Sequence, residues 1–116
     1  MKKDNKKIIV LIDDEEIFGR NFSKFLRDRG YDARYYSRPE SSIELECGEF
    51  DLLMIDNEIN GFQNGEVVIE YVKEKYPNKP IISISGYDRK IPGANVHLVK
   101  PIHLEETIGL IKKLLT

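Results

Sequence analysis

The sequence predicts a single α/β domain, a doubly wound parallel sheet with helices on both faces. Three observations lead to that class. Five short runs are almost continuously apolar. Amphipathic stripes lie between them. Four of the runs end in a polar residue able to do chemistry.

The runs are Ile8 to Ile12, Tyr31 to Tyr36, Leu52 to Ile55, Ile81 to Ile84 and Val96 to Val99. Runs this short, with no polar alternation, fit strands buried on both faces of a parallel sheet. Between the first two runs, Ile17, Phe18, Asn21, Phe22, Phe25 and Leu26 form a helical stripe that ends near Gly30. Ser37 with Glu40 reads as a capping box opening a short helix through Leu45, stopped near Gly48. Val67, Val68, Tyr71 and Val72 mark a third helix, closed by Tyr76-Pro77. Leu104, Ile108, Ile111 and Leu115 mark the last. Alternating strands and helices imply right-handed crossovers, and ligands then sit beyond the carboxyl ends of the strands.

A chain of 116 residues suits one domain, taken as 1–116 with residues 1–6 as a flexible tail. Apolar residues make up 41% and charged residues 33%, a globular rather than disordered balance. A net charge of -2 argues against a nucleic-acid binder that relies on a basic field. The basic start, Lys2, Lys3, Lys6 and Lys7, reads as a solvated tail. No run is long enough to span a bilayer, so membrane insertion is not expected. Cys47 is the single cysteine, which excludes an internal disulfide and fits a reducing, cytoplasmic compartment. It reads as a partly buried, unactivated thiol.

The strand ends carry Asp13-Asp14, Asp56, Ser85-Gly86 and Lys100-Pro101. Parallel strands bring these to one edge. Three carboxylates there repel one another unless a cation is present. Mg²⁺ suits such a set because it needs few carboxylates and keeps waters for a phosphoryl oxygen. A carboxylate can attack phosphorus to give an acyl phosphate. Lys100 can offset charge on the phosphoryl group, and Ser85 and backbone amides can donate to it. Each residue has a plainer reading too. Asp13 or Asp14 can cap a helix, Asp56 can form a turn before Asn57, and Lys100 can be solvated.

Taken together and in this order, the residues resemble the receiver domain of two-component response regulators, the CheY-like family. The resemblance covers nearly the whole chain. It implies a flavodoxin-like strand order of 2-1-3-4-5. It implies that Asp56 accepts a phosphoryl group from a histidine kinase or phosphotransfer protein. Mg²⁺ would bind Asp13, Asp14, Asp56 and the backbone carbonyl of Glu58. Lys100 and Ser85 would sense the phosphoryl group, and His97 would stand at the aromatic switch position. Glu58 and Tyr87 would tune phosphoryl loss.

The sequence departs from the family pattern in three places. Asn60 replaces the usual proline, although Asn60-Gly61 still suits a turn. The segment from Gly61 to Gly65 runs about one residue long. The stretch from Ser85 to Lys100 is short and holds Pro92-Gly93, so the family's fourth helix is expected to be reduced or absent. The usual dimer is then not assumed, and a monomer or weak dimer is expected. His97 can titrate. A histidine packed at a strand edge is the plainer reading. Neither His97 nor His103 has the neighbours of a zinc site.

The expected function is a phosphorylation switch acting through protein contacts on a downstream target. It would stand alone, without contacting nucleic acid, and without enzymatic activity beyond reaction with small phosphodonors and self-dephosphorylation. The alternative is a receiver-shaped interaction module that is never phosphorylated. A flavin protein of similar shape would need a phosphate cradle after the first strand, where acidic residues stand instead. An aspartyl-phosphate phosphatase would place its nucleophile there and would need extra substrate-binding segments.

Overall fold

The computed structural model describes residues 6–59 and 64–116. The five apolar runs become strands β1 (Ile8–Ile12), β2 (Asp32–Tyr36), β3 (Leu52–Asp56), β4 (Ile81–Ser85) and β5 (Val96–Val99). All are parallel, in the order β2-β1-β3-β4-β5. Helices α1 (Glu16–Asp28), α2 (Ile43–Cys47), α3 (Gly65–Lys75) and α4 (Leu104–Leu114) connect or follow them.

The sheet divides the interior into two apolar layers. Val10, Ile12, Leu53 and Ile55 point toward α2 and α3 and pack with Leu45, Phe50, Val68 and Val72. Ile9, Leu11, Leu52 and Met54 point the other way and pack with Phe22, Leu26, Ile108 and Ile111 from α1 and α4. Both strand faces are buried, which is why the sequence lacks an alternating pattern there. Each buried aliphatic or aromatic side chain contributes about 1.5–3 kcal/mol relative to exposure.

The helical stripes hold, with exceptions. Phe22 and Leu26 are buried on α1, whereas Ile17 is 80% exposed and lies off the stripe. On α3, Val68, Ile69 and Val72 face the sheet, whereas Val67 and Tyr71 face outward. Asn64 caps α3, its Oδ1 accepting the Val67 N–H at 3.0 Å.

Two expectations need correction. The Ser37–Glu40 capping box does not form. A 3₁₀ turn over Pro39–Ser41 precedes α2, and Ser42, at the N-terminus of α2, makes no capping bond. Its hydroxyl donates instead to the buried Glu44 carboxylate at 3.1 Å. Cys47 is exposed rather than partly buried, because Leu45 takes the core-facing position of so short a helix. At the α1 start Glu15 is the N-cap and its side chain makes no capping bond, while Asp13 Oδ1 accepts the Glu15 N–H.

The expected loss of a helix between β4 and β5 is met. Residues 86–95 hold only bends and a turn at Pro92-Gly93. Gly93 has φ of 88°, a left-handed conformation suited to glycine.

Candidate functional site

Register aligns the strand ends. Asp56 pairs with Ile84, and Ser85 pairs with Val99. The Lys100 N–H donates to the Ser85 carbonyl at 2.8 Å, and the Asp13 N–H to the Tyr36 carbonyl at 3.2 Å. Asp13, Asp56, Ser85 and Lys100 therefore meet at the carboxyl edge of the sheet.

The Lys100 ammonium is the hub. It lies 2.9 Å from Asp56 Oδ2, 3.2 Å from Asp13 Oδ2 and 2.9 Å from Glu15 Oε2. Asp13 and Asp56 are buried. The backbone holds one oxygen of each. Asp13 Oδ1 accepts from the Glu15 N–H, and Asp56 Oδ1 from the Glu58 N–H, both at 2.8 Å. The Tyr35 hydroxyl fixes the Asp13 carbonyl at 2.6 Å.

Asp13 Oδ2 is buried and accepts no hydrogen bond. Its contact with Lys100 is charge proximity without hydrogen-bond alignment. Burial pushes the Asp13 carboxyl up to about 6, and the Asp56 charge adds to this. The Glu15 amide and Lys100 pull the other way. Burial alone would lower the Lys100 pKa. Hydrogen bonds to Asp56 and Glu15, with the charges of Asp13 and Asp56, raise it instead and keep the ammonium charged.

Oxygens of Asp13, Glu15 and Asp56 all lie within 4.8 Å of one another. Three carboxylates against one ammonium leave two negative charges uncompensated. Hard oxygen donors in this number fit Mg²⁺, and the unsatisfied Asp13 Oδ2 is an atom such an ion would satisfy. Asp14, half-buried beside them, is outside this trio, and Glu15 takes the third place. The acidic run from Asp13 to Glu16 was the signal for Glu15, but that signal alone did not say which member reaches Lys100.

Around Ser85 lies a second network. Its hydroxyl donates to the Tyr87 carbonyl at 2.7 Å and lies 3.1 Å from His97 Nε2. His97 Nε2 is 2.8 Å from the same carbonyl, and Nδ1 is 2.7 Å from the Ser83 hydroxyl. A carbonyl only accepts, so Nε2 carries a proton. In the neutral ring Nδ1 then accepts from Ser83. His97 is half-buried and bridges two serines of β4, a link that depends on the β4–β5 register. The Tyr87 side chain is exposed. Glu58 reaches across the edge, its Oε1 accepting the Gly86 N–H at 3.1 Å. The Asn60-Gly61 turn and the extra length before Gly65 fall on residues 60–63, outside the described residues, as do Lys2 and Lys3.

A family model described as the response regulator receiver domain matches residues 9–112. The transcriptional regulatory protein PcoR of Escherichia coli is 24% identical over 115 residues, covering 92% of this chain and 50% of PcoR. The chain thus spans about half the length of that relative. A CheY-like receiver from Methanospirillum hungatei superposes with a TM-score of 0.87 at 21% identity, over 96% of this chain and 94% of that one. The Thermotoga maritima response regulator TrrA, solved in complex with Mg²⁺ and BeF, gives a TM-score of 0.84 at 26% identity, over 94% of this chain and 99% of that one. The receiver match runs through nearly every strand and helix described above, and the chain belongs to the response regulator receiver-domain family of two-component signalling.

Proposed function

We propose that this chain is a phosphorylation switch whose acceptor is Asp56. The observation that carries the reading is the Lys100 ammonium, 2.9 Å from Asp56 and shared with two further carboxylates. The donor is a phosphohistidine of a histidine kinase or phosphotransfer protein. An Asp56 oxygen forms the new O–P bond as the N–P bond breaks. The electron pair returns to the imidazole, which takes a proton from water.

Phosphoryl transfer of this kind depends on position and charge. Lys100 already faces the acceptor and can follow charge onto a phosphoryl oxygen. The Glu58 amide, which holds Asp56 Oδ1, orients the carboxylate. Ser85 must release the Tyr87 carbonyl to reach the phosphoryl group, which loosens its tie to His97. Glu58 and Tyr87 then bear on phosphoryl loss from either side of the edge. Asp13, Asp14, Asp56 and the Glu58 carbonyl would hold Mg²⁺, with Glu15 within reach. When bound, the ion supplies positive charge for the carboxylates and the incoming phosphoryl group. The Mg²⁺ and BeF reported for the Thermotoga maritima protein support this reading. Output passes through contact with another protein in the cytoplasm. No helix among the described residues is long and apolar enough to cross a membrane.

Adding beryllofluoride with Mg²⁺ to ¹⁵N-labelled protein tests the reading. The amides of Asp56, Gly86, Tyr87, His97 and Lys100 are expected to shift well beyond their Mg²⁺-alone positions when both reagents are present. An unchanged spectrum would contradict it.

A further inference from the structure

Two truncated elements flank α3 on the same face of the sheet. α2 has only five residues, and no helix covers the stretch 86–95. A cleft opens on each side of α3, about 450 Å³ toward α2 and about 390 Å³ toward the Pro92-Gly93 turn. Glu70 and Glu74 border both, so α3 is the ridge between them.

The larger cleft has an apolar floor. Leu45 and Val68 lie beneath it, and Val67 and Tyr71 stand 47% and 46% exposed on its wall. The apolar periodicity of α3 would bury these two, but among the described residues no neighbouring helix is long enough to cover them. Its rim is acidic, carrying Glu40, Glu46, Glu70 and Glu74. Among the described residues none of the four carboxylates is in an ion pair, whereas Glu16, Glu66 and Glu105 are paired with arginines elsewhere. Lys75 is a base close by, and its ammonium is engaged with the Glu46 carbonyl and the Tyr71 hydroxyl.

The geometry points to the α2–α3 cleft as a docking surface for a basic, amphipathic segment of a partner protein. A bulky apolar side chain of that segment seats on Val67 and Tyr71, and flanking Lys or Arg residues meet the glutamates. The volume suits a few such side chains, and apolar anchors in a charged groove are a recurring way to hold a helix. The acidic rim repels nucleic acid and anionic lipid. The cleft exists without phosphorylation, so this inference does not rest on Asp56 as acceptor.

The test uses the full, unphosphorylated chain and two synthetic amphipathic helical peptides sharing the same leucines, one with lysines and one with glutamates. Amide shifts of the labelled protein follow each titration. The lysine peptide is expected to shift Leu45, Val67, Val68, Glu70 and Tyr71 while leaving the Asp13–Asp56 edge still, and the glutamate peptide to shift none of them. Affinity should fall at least about tenfold in Glu70→Lys/Glu74→Lys and in Tyr71→Ser, and weaken with salt. Glu40→Lys, outside any α-helix, gives the same reading if the double variant misfolds. Shifts centred on the Asp13–Asp56 edge, or binding indifferent to these substitutions, would overturn the proposal. Self-association abolished by Tyr71→Ser would assign the cleft to a second copy instead. Movement of the same amides on deleting residues 1–5, without peptide, would assign it to the chain's own basic start. Either result would also overturn the partner assignment.

Discussion

Asp13 and Glu44 are both buried carboxylates, and their surroundings act on them in opposite directions. Asp13 is fully enclosed, with one oxygen unbonded and the charge of Asp56 beside it. Its folded pKa, about 6, stands above the unfolded value of about 3.9. Stability is therefore lost as pH rises from about 4 through 6. Asp13→Asn should raise the Tm of the metal-free protein at neutral pH, by the equivalent of about 1–2 kcal/mol. Mg²⁺ should raise the wild-type Tm and leave that of the variant nearly unchanged. Thermal melts with and without Mg²⁺ check both statements. A less stable variant with an intact Mg²⁺ response would contradict them.

Burial would raise the Glu44 pKa. Hydrogen bonds from Arg34 Nη1 at 2.8 Å, the Tyr36 hydroxyl at 2.7 Å and Ser42 lower it overall. The stability it contributes is present above about pH 4.3 and is lost as pH falls toward the depressed value. Glu44→Gln should cost about 1–3 kcal/mol at pH 7, with the gap to wild type closing in acid. Denaturant melts across pH would reveal a constant gap if this account is wrong. The strand-end residues were legible from sequence because each follows an apolar run. Glu44 was not, because its partners come from β2 and the turn before α2. Glu15 was hidden within an acidic run, and the Ser83–His97 bond needed the β4–β5 register.

At the scale of elements, glycines separate required turns from idle positions. An added Cβ at Gly93 would lie 3.0 Å from Ile69 Cγ2 on a left-handed backbone. Gly93→Ala should cost about 1–2 kcal/mol. Gly109 lies inside α4 with open space around it, so Gly109→Ala should stabilise by about 0.5–1 kcal/mol. Chemical denaturation of both variants tests the pair, and equal effects would contradict the packing described. Helices α1, α3 and α4 were readable from their stripes, α2 only from its flanking signals at Ser37, Glu40 and Gly48, and the absence of a helix before β5 from Pro92-Gly93. The Ser37–Glu40 capping box failed because Pro39 is buried and opens a 3₁₀ turn that takes up Glu40. Val67 and Tyr71 were placed in a core stripe, yet the short α2 leaves them at the surface.

For the whole molecule, the parallel order β2-β1-β3-β4-β5 sets four strand ends side by side, and the site follows from that order. Alternation of strands and helices made the layered architecture legible. The strand order itself came from the family resemblance, since periodicity alone does not order strands. The same architecture, with two covering elements cut short, leaves the face around α3 open while the Asp56 edge stays closed around Lys100. The proposed function has this edge take a phosphoryl group on Asp56. Intact-mass spectrometry after incubation with acetyl phosphate, with and without Mg²⁺, tests it most directly in wild type and Asp56→Asn. A Mg²⁺-dependent gain of one phosphoryl group is expected in wild type and none in Asp56→Asn. No adduct in wild type, or an adduct that persists in Asp56→Asn, would contradict it.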